Sequence, residues 1–424
     1  PVDLILRYII LHGPIFTDRD WDRFGCDVFK NRGYDVIPCE LTEIIWPEAT
    51  NKVASQAYQS SKRSIAVTTI EAARELIAGI NPDDFVLCNM QLEPEAVPIF
   101  QLLTAYKIDF AVTTLSEVPT FRFQSGLTPF SLIEWLRRQT SDLRGHVYRY
   151  KELAKQIVSP RINLLSLRSP RWWIRAGEGH PYFIGTYPKC WLAESIETHS
   201  YDFEHASTIA RTRKHAPLQR LRPYAVFIDE GFIGHPDFDY MNETSPVTLE
   251  SYKEFVDTVS RRVESDAGLP MIVALHPRSN PETALTVYDG RTMVSGKTAE
   301  LIADADLVVL TCSTSVSYAA YFRRPVLFVT TDQIDRDPYF GPFSARMASW
   351  FGLHPINIDH LTEDDRLTAP QISDTRFLDY ERAFMRGSNA PDDPIWVTVA
   401  DRVQMRPPQT HDVNENISVD ADRT

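Results

Sequence analysis

The chain alternates, twice over, between short apolar runs of strand length and longer runs of helical period. In the first half the apolar runs are Leu4–His12, Tyr34–Pro38, Ile65–Val67, Phe85–Asn89 and Asp109–Thr114, with Trp172–Ala176 further on. Between them Trp21–Arg32, Thr69–Ile80 and Glu95–Tyr106 carry helical spacing, the first closed by Gly33. The alternation restarts at Tyr224. Strands are expected at Tyr224–Ile228, Met271–Leu275, Leu307–Leu310 and Pro325–Thr330, and helices at Leu249–Val263, Thr298–Ala305 and Val316–Phe322. Short apolar strands alternating with helices belong to parallel sheets covered on both faces. The pattern therefore dictates an α/β fold in two halves.

The stretch Arg211–Pro223 is basic and proline-bearing, which disfavours burial. We place the linker there, at 211–223, between a first domain at 1–210 and a second at 224–385. A terminal helix is expected within 386–404, with Tyr380–Met385 helical before it. The polar tail 405–424 is expected to be disordered. Leu132–Ile157 reads as helix-rich and polar.

A formal net charge of −13 excludes a general nucleic-acid binder, which needs a basic footprint. No apolar run approaches the roughly 20 residues that span a bilayer. The opening Pro1–Leu11 lacks the basic start and cleavage site of a signal peptide. The five cysteines are scattered without a Cys-x-x-Cys pair, which points to a reducing cytoplasm and to packing roles. No His/Cys cluster has metal-ligand spacing, so no metal is expected. P-loop, nucleophile-elbow and Gly-x-Gly-x-x-Gly signatures are absent too.

Three short motifs sit where strands of the second half should end: Asp229-Glu230-Gly231, His276-Pro277 and Ser313-Thr314-Ser315. The carboxyl ends of parallel strands line the ligand crevice of such sheets. A carboxylate there can take a proton from an acceptor hydroxyl or attack a carbon itself, and Asp229 is the candidate. Gly231 allows a sharp turn. Pro277 disfavours helix at His276 and aims the imidazole away from the sheet end, where it can donate to a phosphate. Arg278 and Ser279 add donors for an anion. The hydroxyls at 313–315 either cap a helix or help its first turn hold an anion. Lys297 could add a further anion contact. In the first half, His12-Gly13-Pro14 and Glu117 follow strands and would face the same crevice. Glu117 and Glu178 are further acids that could assist an acceptor, although a loop acid is the commoner case. Arg168, Arg171, Trp172, Trp173 and Arg175 suit either a lipid or glycan contact or ordinary packing beside solvated arginines.

The ordered trio resembles that of bacterial transferases of CMP-activated acidic sugars, both sialic acid and Kdo. Over about residues 224–332 the chain also resembles the Kdo transferases of surface-polysaccharide assembly, and Tyr201–Glu204 fits that group. The resemblance implies a GT-B architecture, with two Rossmann-like domains facing a central cleft. It implies a metal-independent glycosyltransferase that moves Kdo, or a sialic-type sugar, from a CMP donor to a lipopolysaccharide O-antigen or capsule acceptor. In it, His276 meets the donor phosphate, and Ser313, Thr314 and Ser315 hold the phosphate or the sugar carboxylate. Asp229 is the base of an inverting enzyme or the nucleophile of a retaining one. Glu230, Gly231, Pro277, Arg278, Ser279 and Lys297 complete the donor side. The expected partners are the CMP-sugar and a lipid-linked or oligosaccharide acceptor. The expected place is the cytoplasm, free or peripheral at the inner membrane, within a larger polysaccharide-assembly protein or alone. The rival readings are a UDP-sugar transferase or 2-epimerase of the same architecture, and an idle glycan-binding module.

Overall fold

The computed structural model describes residues 6–47, 60–90, 92, 95–116, 118–119, 166–179, 190–215, 223–235, 238 and 244–405. Glu117, the helical stretch expected at Leu132–Ile157 and almost all of the expected tail lie outside these residues.

The first sheet holds β1 (Arg7–His12), β2 (Asp35–Glu40), β3 (Ile65–Ala66), β4 (Phe85–Asn89), β5 (Ala111–Thr114), β6 (Trp172–Ala176) and β7 (Glu194–Thr198). Their order is β3-β2-β1-β4-β5-β6-β7, all parallel. The second holds β8 (Ala225–Ile228), β9 (Met271–Leu275), β10 (Thr292–Ser295), β11 (Leu307–Leu310), β12 (Val326–Thr330) and β13 (Ile356–Asn357). It runs β10-β9-β8-β11-β12-β13, again parallel throughout. Both are doubly wound sheets, so the two Rossmann-like halves of the expected GT-B architecture are present. The central strands β8, β11 and β12 are buried along their whole length, as their unbroken apolar sequences require. In each sheet the order reverses beside its first strand, at β1/β4 and at β8/β11. Those are the points where crevices open beyond the strand ends.

Two segments bind the halves together. The helix Tyr201–His215 starts against the first sheet, where the Tyr201 N–H meets the Leu115 carbonyl at 3.2 Å. It then packs on the second, with the His205 and Tyr318 rings edge-on at 5.7 Å. The expected linker therefore begins inside a helix. Arg213 is held there by Asp304 at 2.7 and 2.9 Å, because a paired arginine can close a helix that its charge alone would not favour. The second segment is the C-terminal helix Ile395–Gln404, which returns to the first sheet. Ile395, Trp396, Val399, Ala400 and Val403 share a core with Tyr8, Phe24 and Phe29. Trp396 lies on Gly25, whose φ of +59° splits the helix expected over Trp21–Arg32 into Asp18–Arg23 and Cys26–Lys30. A Cβ at Gly25 would stand 2.2 Å from Trp396 Cγ, so the break and the docking are one arrangement.

Among the described residues no helix is long and apolar enough to cross a membrane. All five cysteines are free and buried.

Candidate active site

Asp229 follows β8 and is 4% exposed. Its Oδ1 accepts the Gly231 N–H at 2.8 Å and the Tyr288 hydroxyl at 2.7 Å. Its Oδ2 accepts the His276 N–H at 3.1 Å and the Ser279 hydroxyl at 2.5 Å. A carboxylate has about four acceptor positions, and all are taken. Two of the donors are backbone N–H groups that cannot rotate away. Asp229 therefore ties the turn after β8 to the turn after β9. The expected role of Asp229 as nucleophile or base would require one of these four donors to give way.

His276 is what that tie positions. Its Nδ1 accepts the Arg278 N–H at 3.2 Å, which assigns the ring proton of the neutral imidazole to Nε2. Burial foremost, then the neighbouring His235, lowers its pKa to about 4, so the ring is neutral at physiological pH. His235 stands with its ring centroid 4.6 Å from that of His276, tilted by 59°. Gly231 makes room for both. Its φ is +66°, and a Cβ there would lie 2.9 Å from His235 Cδ2 and 3.4 Å from His276 Cγ. Sequence reasoning missed His235. It begins one of four His-Pro dipeptides, so the dipeptide alone did not single it out.

Glu230 points toward β11. Its Oε1 accepts the N–H groups of Thr311 at 3.0 Å and Cys312 at 3.1 Å. Burial raises its pKa, the Asp229 charge adds to this, and the backbone donors oppose both; the result is about 8. The segment Ser313-Thr314-Ser315 then leads into the helix Val316–Phe322, with the Ser315 N–H on Ser313 Oγ at 3.3 Å. The structure thus brings Asp229, Glu230, Gly231, His276, Pro277, Arg278, Ser279 and Ser313–Ser315 to the β8/β11 end of one sheet. Lys297, at the exposed start of the helix Thr298–Asp304, follows the edge strand β10.

Glu178 is used elsewhere. Its Oε1 accepts the Ser388 N–H at 2.8 Å and hydroxyl at 2.6 Å, and its Oε2 meets Arg382 Nε at 2.5 Å. The Ser388 and Arg382 donors hold its pKa down to about 2. Glu178 thus clasps the segment entering the C-terminal helix. The interleaved cations are likewise engaged. Arg168 and Arg171 both pair with Asp109, and Arg171 and Arg175 lie over Trp172 and Trp173 at 4.6 and 5.1 Å.

The first sheet faces this site with its own crevice. His12 ends β1, is 4% exposed, and has Nδ1 2.9 Å from Asn89 Nδ2 at the end of β4. Burial lowers its pKa to about 4, with Asp20 opposing and Arg23 and Arg278 assisting. The Arg19 charge in turn depresses His276. Charges of each sheet thus act across the cleft on the imidazole of the other. At the cleft floor Asp202 accepts from Tyr318 and Ser317, and burial raises its pKa. Tyr318 Oη also lies 3.2 Å from His205 Nδ1. Among the described residues no group of three or more His, Cys, Asp or Glu side chains is placed to hold a metal.

No protein-family model and no curated protein matches the sequence. Among solved structures the chain is similar in outline to MurG of Acinetobacter baumannii, with a TM-score of 0.45 and 11% identity, covering 95% of this chain and 100% of that one. UDP-GlcNAc 2-epimerase from Neisseria meningitidis, bound to UDP-GlcNAc, gives 0.43 and 10%, covering 95% and 100%. The wall teichoic acid polymerase TagF gives 0.45 and 10%, covering 94% and 88%.

Proposed function

We propose that this chain is a glycosyltransferase that moves an acidic 3-deoxy-ulosonic sugar, Kdo first among them, from a CMP-activated donor to a surface-polysaccharide acceptor. The observation that carries the reading is His276. It is a neutral imidazole with its proton on Nε2, at a strand end beside a doubly wound sheet's crevice, fixed by Asp229 through the backbone. Such a group donates a hydrogen bond to a leaving phosphate without first having to reorganise. Arg278 adds positive charge beside it, so the departing CMP needs no metal in this scheme.

Glu230 is the carboxyl that can move a proton at neutral pH. One of its oxygens is anchored on the Thr311 and Cys312 amides, and a pKa near 8 suits a general base. Glu230 would take the acceptor's hydroxyl proton as that oxygen attacks the anomeric carbon and the phosphate leaves. This is a single displacement with inversion. The acceptor enters from the first sheet's side, and closure of the two halves excludes water.

Nucleotide preference tests the reading. A ligand at 100 times its Kd stabilises the native state by about 2.7 kcal/mol, which a thermal melt detects. CMP should raise the melting temperature and UDP should not. Protection by UDP alone would turn the assignment to a UDP-sugar enzyme.

A further inference from the structure

Arg19 lies in the loop-to-helix segment that follows β1, between Asp18 and Asp20. Both flanking acids are committed within the first domain. Asp18 Oδ1 accepts the Ser61 hydroxyl at 2.6 Å, and Asp20 Oδ2 accepts the Thr17 N–H at 2.9 Å and hydroxyl at 2.7 Å. The helix Asp18–Arg23 is further pinned by Trp21, which is buried and donates to Asp27 Oδ1 at 3.0 Å. Its orientation is therefore set.

Arg23 is one turn on and shares a helix face with Arg19. Arg23 lies over the Tyr201 ring at 4.8 Å and donates to Ser116 Oγ at 3.0 Å. That face therefore looks toward the junction of the two halves, where the helix Tyr201–His215 packs on the start of Val316–Phe322. Arg19 lies a turn closer to the β1 crevice, and its charge adds a minor effect at His276, where burial dominates, and at Tyr318, where burial and Asp202 dominate. Its side chain is exposed, and it forms no ion pair among the described residues.

The cleft thus has an arginine on each wall: Arg278 beside His276 on one, and Arg19, flanked by Asp18 and Asp20, on the other. A donor with a single anionic group needs only one of these walls. A nucleoside-monophosphate-linked ulosonic acid carries two anionic groups on one carbon. Its phosphate ester and its carboxylate both attach to the anomeric carbon. A guanidinium forms paired hydrogen bonds with a carboxylate, which an ammonium does not.

We infer that Arg19 is the first domain's contribution to donor recognition, binding the sugar carboxylate while the phosphate lies against His276 and Arg278. This inference rests on the proposed function and names which of the donor's anions each wall takes. It also gives closure a chemical trigger, since the full donor engages both walls and CMP engages one.

The test measures Kd for CMP and KM for CMP-Kdo with wild type, Arg19→Gln and Arg19→Lys. Arg19 is exposed, so neither variant threatens the fold. The expected result is a CMP affinity within about twofold of wild type in both variants, with KM for CMP-Kdo raised about ten- to a hundredfold in Arg19→Gln. Arg19→Lys should recover part of that loss. Equal weakening of CMP and CMP-Kdo would place Arg19 on the phosphate and overturn the inference. Unchanged KM would make it a solvated surface residue and overturn it also. Wild-type protein that fails to bind CMP would remove the underlying functional reading instead, and this inference with it.

Discussion

At the scale of single residues, two adjacent acids have taken opposite environments. Asp229 is enclosed by four donors, and Glu230 is enclosed with backbone donors from Thr311, Cys312 and Ser313 and a charged neighbour. Asparagine at 229 would offer a single acceptor oxygen and turn its own N–H groups toward backbone donors. Asp229→Asn should lose about 2–3 kcal/mol in urea denaturation, with turnover falling because His276 shifts. Full stability with turnover abolished would return the chemical role to Asp229.

Glu230 makes a pH prediction with a definite sign. Its folded pKa of about 8 lies above the ordinary carboxylate value of 4.5. Its contribution to stability is complete below that ordinary value and is lost as pH rises through about 8. Wild type should therefore lose stability relative to Glu230→Gln between pH 5 and 8. His12 and His276 act in the opposite sense, since both fall from 6.5 to about 4. Their contribution is present above 6.5 and is lost as pH falls through about 4. Melting temperature against pH for wild type and Glu230→Gln separates the two limbs. Turnover should rise through pH 8 in wild type alone, and a flat wild-type profile would contradict the base role.

The identities at the strand ends were legible in the sequence because the apolar runs that place them are long and unbroken. Their roles were not. The surroundings of Asp229 are set by Ser279 and Tyr288, 50 and 59 residues further on, and nothing local announces those partners.

At the scale of elements, the same contrast holds. β4, β6, β9 and β11 fall on the expected residues, since each is an apolar run bounded by polar or turn residues. β7, β10 and β13 were missed. They are edge strands, partly exposed and short, and β7 is built from Glu194-Ser195-Ile196-Glu197-Thr198, which reads as loop. The helix Tyr201–His215 was taken in part for a linker because Arg213 in its basic end finds a counter-charge in Asp304, 91 residues further on. The turn after β8 yields a prediction of its own. At Gly231 an alanine must adopt a left-handed conformation costing about 1–2 kcal/mol and must push His235 aside. Gly231→Ala should lower turnover by more than its loss of stability explains. Turnover equal to wild type would mean that the His235–His276 pair is not held for function.

At the scale of the whole molecule, the chain leaves the first sheet, builds the second and comes back. The return is fixed by Glu178 on Ser388 and Arg382, and by Trp396, whose Nε1 donates to the Arg23 carbonyl at 2.6 Å. Trp396 therefore supports the helix that carries Arg19 and Arg23. Trp396→Ala should cost about 3–5 kcal/mol and raise hydrogen exchange across Ile395–Gln404. Unchanged exchange there would show that the helix docks without its tryptophan. The sequence marks this helix but not its destination, because the residues that receive it lie 191 to 373 positions earlier.

The central claim is that the β8/β11 crevice transfers a sugar from a CMP donor with His276 on the leaving phosphate. The most direct measurement is nucleotide release from CMP-Kdo, CMP-sialic acid and UDP-sugars by wild type and His276→Ala, with acceptor glycans present. The account predicts CMP release from an acidic-sugar donor, reduced about 10²- to 10³-fold in His276→Ala. Release of UDP alone, or equal CMP release by the two proteins, would contradict it.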